Sequence, residues 1–207
     1  MNERVESVRG VHDTVPVTCT RTVKRQTSGG WLVVSETEAF NTPLARTTTY
    51  EYNDRFRPSR VLRPDGGYTR YEYDAEGRVV LEATPWAGGR EKLTRTTYAN
   101  RRFFDNRPAR VVESYVQRNG AAVTMKTSVY AYEDSALVNR VTETHSARNC
   151  ATQTRIRETW GEAAAYPYAA GRTRFTQDIT GVQTFYEYEA TTEHNARHKE
   201  TIAKGQQ

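Results

Sequence analysis

From Thr47 to Leu81 the chain alternates between positions that suit a half-buried surface and positions that suit water. The runs are short and are punctuated by turn residues. In Thr47 to Tyr52, Thr48, Tyr50 and Tyr52 fall on one side of an extended backbone and Thr47, Thr49 and Glu51 on the other, because successive side chains of a strand point to opposite faces. Asn53 to Phe56 then breaks the pattern, and Arg60-Val61-Leu62 resumes it. Arg63-Pro64-Asp65-Gly66-Gly67 breaks it again, and Tyr68 to Tyr73 starts the next run. Asp74-Ala75-Glu76-Gly77 precedes Arg78-Val79-Val80-Leu81, with Gly77 suited to the positive φ that short hairpin loops demand. Period-two alternation bounded by Gly, Pro, Asn and Asp predicts strands joined by tight turns, so this region reads as consecutive β-hairpins.

The pattern recurs. Tyr-x-Tyr occurs at Tyr50/Tyr52, Tyr71/Tyr73, Tyr130/Tyr132 and Tyr186/Tyr188, with the first two copies 21 residues apart (71 − 50). "RPSRV" at Arg57 to Val61 returns as "RPARV" at Arg107 to Val111. Gly66 to Ala75 can be laid over Gly181 to Ala190 without a gap, matching Gly66/Gly181, Thr69/Thr184, Tyr71/Tyr186, Glu72/Glu187, Tyr73/Tyr188 and Ala75/Ala190. Self-similarity near this period marks supersecondary units that bury their apolar faces only against neighbours, so about three or more are needed for stability.

"YEYDAEGRVV", with "RPDGGYTR" upstream, resembles the tyrosine-aspartate repeat of the Rhs/YD-repeat family. Tyr73-Asp74 supplies the name pair, Gly77-Arg78 the turn, and Pro64-Asp65-Gly66 the preceding reversal. The other copies are degenerate: Asn53-Asp54 follows Tyr52, Glu133-Asp134 follows Tyr132 without Gly-Arg, and Glu189 follows Tyr188. The likeness is clearest from Thr47 to Pro85, continues to about Val141, returns at Thr180 to Ala190, and extends to Val17 to Phe40, where a hairpin forms around Ser28-Gly29-Gly30. It implies an all-β fold of stacked antiparallel hairpins in a spiralling sheet, an open section of a hollow shell that encloses or displays a toxin or adhesive module. The family includes bacterial Rhs and wall-associated proteins, insecticidal toxin complexes and teneurins. Its aspartate-containing self-cleavage motif is not found in this sequence, and no toxin domain is evident after Ala190.

Composition fits a polar β protein. Hydrophobic residues make up only 36%, but 13 tyrosines and abundant threonine suit pleated, half-buried surfaces and disfavour helix. The formal charge of +5 is built from arginines dispersed among Glu, Asp and Tyr. A nucleic-acid binder concentrates its positive charge, so no nucleic-acid partner is expected; cross-strand ion pairs and Arg on Tyr rings are. No run of about 18 apolar residues suggests a membrane span, and Met1 to Gly10 lacks the apolar core of a signal peptide. Cys19 and Cys150 leave two readings open, a disulfide or two buried free thiols, with free thiols favoured.

Catalytic or metal chemistry finds little support. His194 and His198 have i, i+4 spacing after Glu193, but in the order E-H-x-x-x-H and in a polar terminal stretch. His145 and Cys150 would stand about 16 Å apart on an uninterrupted strand, which separates base from nucleophile unless a turn intervenes. His12-Asp13 lacks a nucleophile motif, and Gly29-Gly30, Gly66-Gly67 and Gly88-Gly89 sit at reversals rather than in a phosphate loop. Three tryptophans, Trp31, Trp86 and Trp160, are the candidate ligand-stacking residues, with Trp86 expected to project from a loop in "TPWAGGRE".

The reading is therefore a non-enzymatic chain without cofactor. It comprises a degenerate hairpin region over 1–46, a YD-repeat sheet over 47–190 and a polar tail over 191–207. The repeat positions Tyr50, Tyr52, Tyr71, Tyr73, Asp74, Gly77, Arg78, Tyr130, Tyr132, Tyr186 and Tyr188 act structurally. The resemblance implies a secreted or cell-surface location, and the sheet edges imply partnership with the remainder of a larger Rhs-type polypeptide or another copy. A carbohydrate- or protein-binding module using exposed aromatics is the alternative.

Overall fold

The computed structural model describes residues 2–8, 18–99, 106–117, 119–163, 169–189 and 197–199, with side chains only between residues 20 and 188. The fold is all-β and antiparallel, with hairpins stacked in chain order. It divides into two compact units, residues 1–95 with 115–122, and residues 96–114 with 123–207.

In the first unit β1 (Asn2–Val8), β2 (Thr18–Thr27), β3 (Gly30–Glu38), β4 (Arg46–Tyr52), β5 (Pro58–Leu62), β6 (Tyr68–Tyr73), β7 (Val79–Trp86) and β8 (Arg90–Tyr98, through Arg95) pair in succession. Two bulges repeat. Tyr52 pairs with Pro58 after Glu51 has paired with Arg60, leaving Ser59 as the extra residue. Tyr73 pairs with Val79 after Glu72 has paired with Leu81, leaving Val80. A bulge bends its strand and re-aims a side chain. Here it lies opposite the step into the second tyrosine of the Tyr50/Tyr52 and Tyr71/Tyr73 copies, whereas Tyr130 to Tyr132 pair with β11 without a shift. The buried apolar cluster is small: Leu81, Ala83 and Leu93 are at most 5% exposed, and Val116 packs against them. Arg70 pairs with Ala83 and Ala83 with Leu93, so Arg70 shares the face of the sheet that carries the cluster.

The second unit contains β9 (Pro108–Val116, through Ser114), β10 (Ala122–Asp134, from Val123), β11 (Val138–Ala147), β12 (Gln153–Trp160), β13 (Thr173–Gln177) and β14 (Gln183–Phe185). The short pair β15 (Glu187–Glu189) and β16 (Arg197–Lys199) follows. β10, β11 and β12 pair over eight residues or more at each interface. The Tyr186 copy departs from the alignment with Tyr71. β6 is continuous, whereas Tyr186 stands between β14 and β15 with its N–H bonded to the Arg174 carbonyl.

The structure corrects two expectations. Trp86 is not in a loop: it closes β7 and pairs with Arg90, so the reversal is only Ala87-Gly88-Gly89. Cys150 is not a buried thiol: it is exposed and unbonded at a turn, its N–H donating to the Ala147 carbonyl. Cys19 lies on β2, but its side chain is outside the described residues, as are His12, Asp13 and His194. His198 has a strand backbone in β16, so the helical face that i, i+4 metal ligation needs is not formed there. Among the described residues no helix is long and apolar enough to cross a membrane.

Candidate functional site

Five of the hairpin turns have one geometry. The N–H of the first residue donates to the carbonyl of the fifth and the N–H of the fourth to the carbonyl of the first, at Asn53–Arg57, Arg63–Gly67, Asp74–Arg78, Gln117–Ala121 and Asp178–Val182. The fourth residue has positive φ every time: Phe56, Gly66, Gly77, Gly120 and Gly181. This is the type I turn with a following left-handed residue that three-residue hairpin loops adopt. An Asx side chain braces each turn. Asn53 Oδ1 accepts from the N–H groups of Arg55 and Arg57, and Asp178 Oδ1 from those of Thr180 and Val182. Asp74 Oδ1 takes the Arg78 N–H at 2.8 Å while its Oδ2 takes Arg78 Nε at 2.8 Å. Where the first residue is Arg63 or Gln117, the brace moves to Asp65 or Asn119.

Burial works against the Asp74 carboxylate, but the Arg78 N–H and guanidinium outweigh it and hold its pKa below the usual value. A depressed folded pKa adds stability that is present above the unfolded value near 3.9 and is lost as pH falls through the folded one. Denaturant midpoints measured from pH 5 to pH 2 should therefore fall less steeply for Asp74→Asn than for the parent chain; equal slopes would remove the turn from the acid response.

The tyrosines are latches. Tyr73 Oη donates to the Pro58 carbonyl at 2.7 Å, Tyr132 Oη to that of Pro108 at 2.9 Å, Tyr188 Oη to that of Thr173 at 2.6 Å, and Tyr52 Oη to that of Val33 at 2.6 Å. In three of the four, the residue before the accepting carbonyl is an arginine whose guanidinium lies over the same ring: Arg57 over Tyr73 at 5.7 Å, Arg107 over Tyr132 at 4.9 Å and Arg172 over Tyr188 at 5.2 Å. That geometry explains "RPSRV" and "RPARV", and identifies "RTRF" at Arg172 as a third copy that sequence comparison missed. Arg57 also lies against Gly77, where a Cβ would collide with the guanidinium, and its Nη1 is buried without a hydrogen-bond partner, so stacking holds it. Where stacked tyrosine rings would form a ladder, hydroxyl-to-backbone bonds do the joining. Tyr71 sits beside Tyr73 at 6.5 Å on one strand.

The first tyrosine of a run bonds to carboxylates instead. Tyr50 Oη donates to Glu36 at 2.8 Å, and desolvation, followed by that hydrogen bond, pushes its pKa up to about 12. Tyr68 Oη donates to Glu91 at 2.6 Å, the bond that contributes most to its raised pKa. Tyr68, Arg60, Arg70, Glu51 and Glu91 line a groove of about 400 Å³. Its charges face one another, Arg70 meeting Glu72 at 2.8 Å and Glu91 at 3.6 Å, with Arg60 stacked 5.0 Å over Tyr68.

Trp31, on β3, and Trp86 are 46% and 42% exposed. A second groove of about 360 Å³, lined by Gly88, Arg90, Tyr115 and Gln117, adjoins the strand position paired with Trp86, with Arg90 over Tyr115 at 5.2 Å. Trp160 is half-buried at the end of β12 and one face is covered by Arg174 at 5.1 Å. Next to it Glu158 is 4% exposed and bonded to Arg140 Nε at 2.8 Å and to Arg174 Nη1, an arrangement that raises the Arg140 pKa. Two arginines thus neutralise one buried carboxylate, which otherwise could not stay desolvated.

A turn does intervene between His145 and Cys150, yet the imidazole is engaged elsewhere: Nδ1 is 2.9 Å from Ser128 Oγ and Nε2 is 3.5 Å from Glu143. Serine, histidine and glutamate in line suggest an activated hydroxyl. Ser128 is only 4% exposed, and its contact with His145 ties β10 to β11. Among the described residues no group of three or more His, Cys, Asp or Glu could hold a metal. The chain matches no protein-family model and no curated protein.

Proposed function

We propose that this chain is a structural segment, without catalytic activity, of a larger secreted or surface-displayed Rhs/YD-repeat polypeptide. Its stacked hairpins form wall around, or a platform for, a toxin or adhesive module. The observation that carries the reading is the tyrosine latch: the same hydroxyl-to-carbonyl bond recurs at Tyr52, Tyr73, Tyr132 and Tyr188, and an arginine covers three of the four rings. A device repeated at successive hairpins serves extension of a sheet, since each unit shelters its neighbour. Partners are then the flanking polypeptide or another copy, added at the sheet edges. The test is protease protection of the segments that flank residues 1–207 in the native gene product. Deleting residues 47–190 should leave an otherwise protected module open to digestion; unchanged protection, or the absence of any flanking module, would overturn the wall reading.

Exposed Trp86 beside the Arg90–Tyr115–Gln117 groove favours a second reading, a carbohydrate-binding surface, because an aromatic face flanked by fixed polar groups suits a sugar ring. Glycan-array binding that disappears in Trp86→Ala would support it, and binding unchanged by that substitution would dismiss it.

A further inference from the structure

Two strand pairs of the first unit are zipped at one end only. β5 and β6 pair through Arg60–Leu62 and Tyr68–Arg70, beside the turn that joins them, and no ladder pair forms between residues 58–59 and 71–73. β3 and β4 pair through Ser35–Glu38 and Arg46–Thr49, with none between residues 30–34 and 50–52. At each unzipped end a tyrosine hydroxyl crosses the seam to a backbone carbonyl. Tyr73, fixed by pairing to β7, reaches back to Pro58; Tyr52, fixed by pairing to β5, reaches back to Val33. Laddered strands lie only about 4.8 Å apart, each carbonyl facing its partner's N–H, so a phenol arm can take a neighbouring carbonyl only where the strands have splayed.

We propose that each of these seams is a hinge closed by a latch. The far end opens when the tyrosine hydroxyl exchanges its carbonyl for water, and the short ladder behind it frays from that side, so successive hairpins change their splay while the ladders of the neighbouring strand pairs hold. Opening costs that neutral hydrogen bond and the contacts beside it: at β5/β6 the Arg57 overlay and the Arg55 Nη1 bond to the Ala75 carbonyl at 2.9 Å, and at β3/β4 the Tyr50 bond to Glu36 and the Phe56 ring against Gly29. The β5/β6 seam has Arg57 over its latch ring, whereas Leu32 precedes the accepting carbonyl at β3/β4. A sheet built this way adjusts its curvature hairpin by hairpin. The inference holds whether or not the chain is shell wall, because neither cargo nor flanking segment enters it.

Amide hydrogen exchange on the full chain tests it. Tyr73→Phe should speed exchange about fivefold to tenfold in peptides covering 57–62 and 70–74, the factor for one neutral hydrogen bond, and leave 81–86 and 90–95 unchanged. Tyr71→Phe, which removes a hydroxyl that is not in a latch, should leave all four unchanged. In the unsubstituted protein, exchange near the two seams should be almost independent of denaturant, as for local opening, whereas Leu81 and Leu93 should exchange only through global unfolding. Tyr73→Phe exchange that is unaltered, or accelerated equally throughout the unit, would overturn the proposal. So would seam amides in the unsubstituted protein that follow the global denaturant dependence.

Discussion

Gly77→Val should destabilise the protein by about 2–3 kcal/mol, seen as a lower urea midpoint at unchanged slope. Gly77 has φ +86°, a conformation that costs a β-branched residue energy wherever it occurs, and here the added side chain must also displace the Arg57 guanidinium. Displacement uncovers Tyr73 and weakens the link between successive hairpins. Gly66 supplies the comparison: its φ is +80°, but open space surrounds it, so Gly66→Val should show only the conformational part. In an Arg57→Ala background the two valine substitutions should become equal. If they are equal in the parent chain, Arg57 has no part in the need for glycine.

Leu81→Ala should cost about 3 kcal/mol, within the range for leucine truncations in packed interiors. Leu81 is 2% exposed and, among the described residues, clusters with Ala83 and Leu93, against which Val116 packs. Such a loss is a large share of a typical stability of about 5–15 kcal/mol. Leu62, 38% exposed, is the control, and Leu62→Ala should cost about 1 kcal/mol or less. Thermal or urea unfolding checks both. Equal losses at the two positions would mean that burial in this cluster does not set the stability of the unit.

Phe56 shows where local reading ran short. It holds φ +58° at the turn position that glycine takes in four other hairpins, and no sequence rule recommends phenylalanine there. Its ring packs on Gly29, with ring carbons 2.8 and 2.9 Å from where a Cβ would stand, so a contact between two turns offsets a local strain. The Glu158 cluster was hidden for a similar reason. Arg140, Glu158 and Arg174 are dispersed in sequence and meet only because Arg140 pairs directly with Glu158 and because Arg174 is the extra residue of a bulge between Thr173 and Phe175. The arginine before the latch carbonyl had a visible signal in "RPSRV" and "RPARV", but its role did not, since Arg57 and Tyr73 are 16 residues apart (73 − 57).

Alternation, turn chemistry and repetition by themselves determined an all-β chain of antiparallel hairpins and the reversals at Ser28-Gly29, Asn53 to Phe56, Arg63 to Gly67 and Asp74 to Gly77. These follow from backbone preferences that act over a few residues. Only the tertiary structure decided that Trp86 ends a strand, that Cys150 is exposed, that the tyrosines bond carbonyls of the preceding hairpin, and that two seams are laddered at one end alone. Each of those depends on register and splay between strands, which are set by bulges and by contacts between distant residues, and one residue of register exchanges the two faces of a strand.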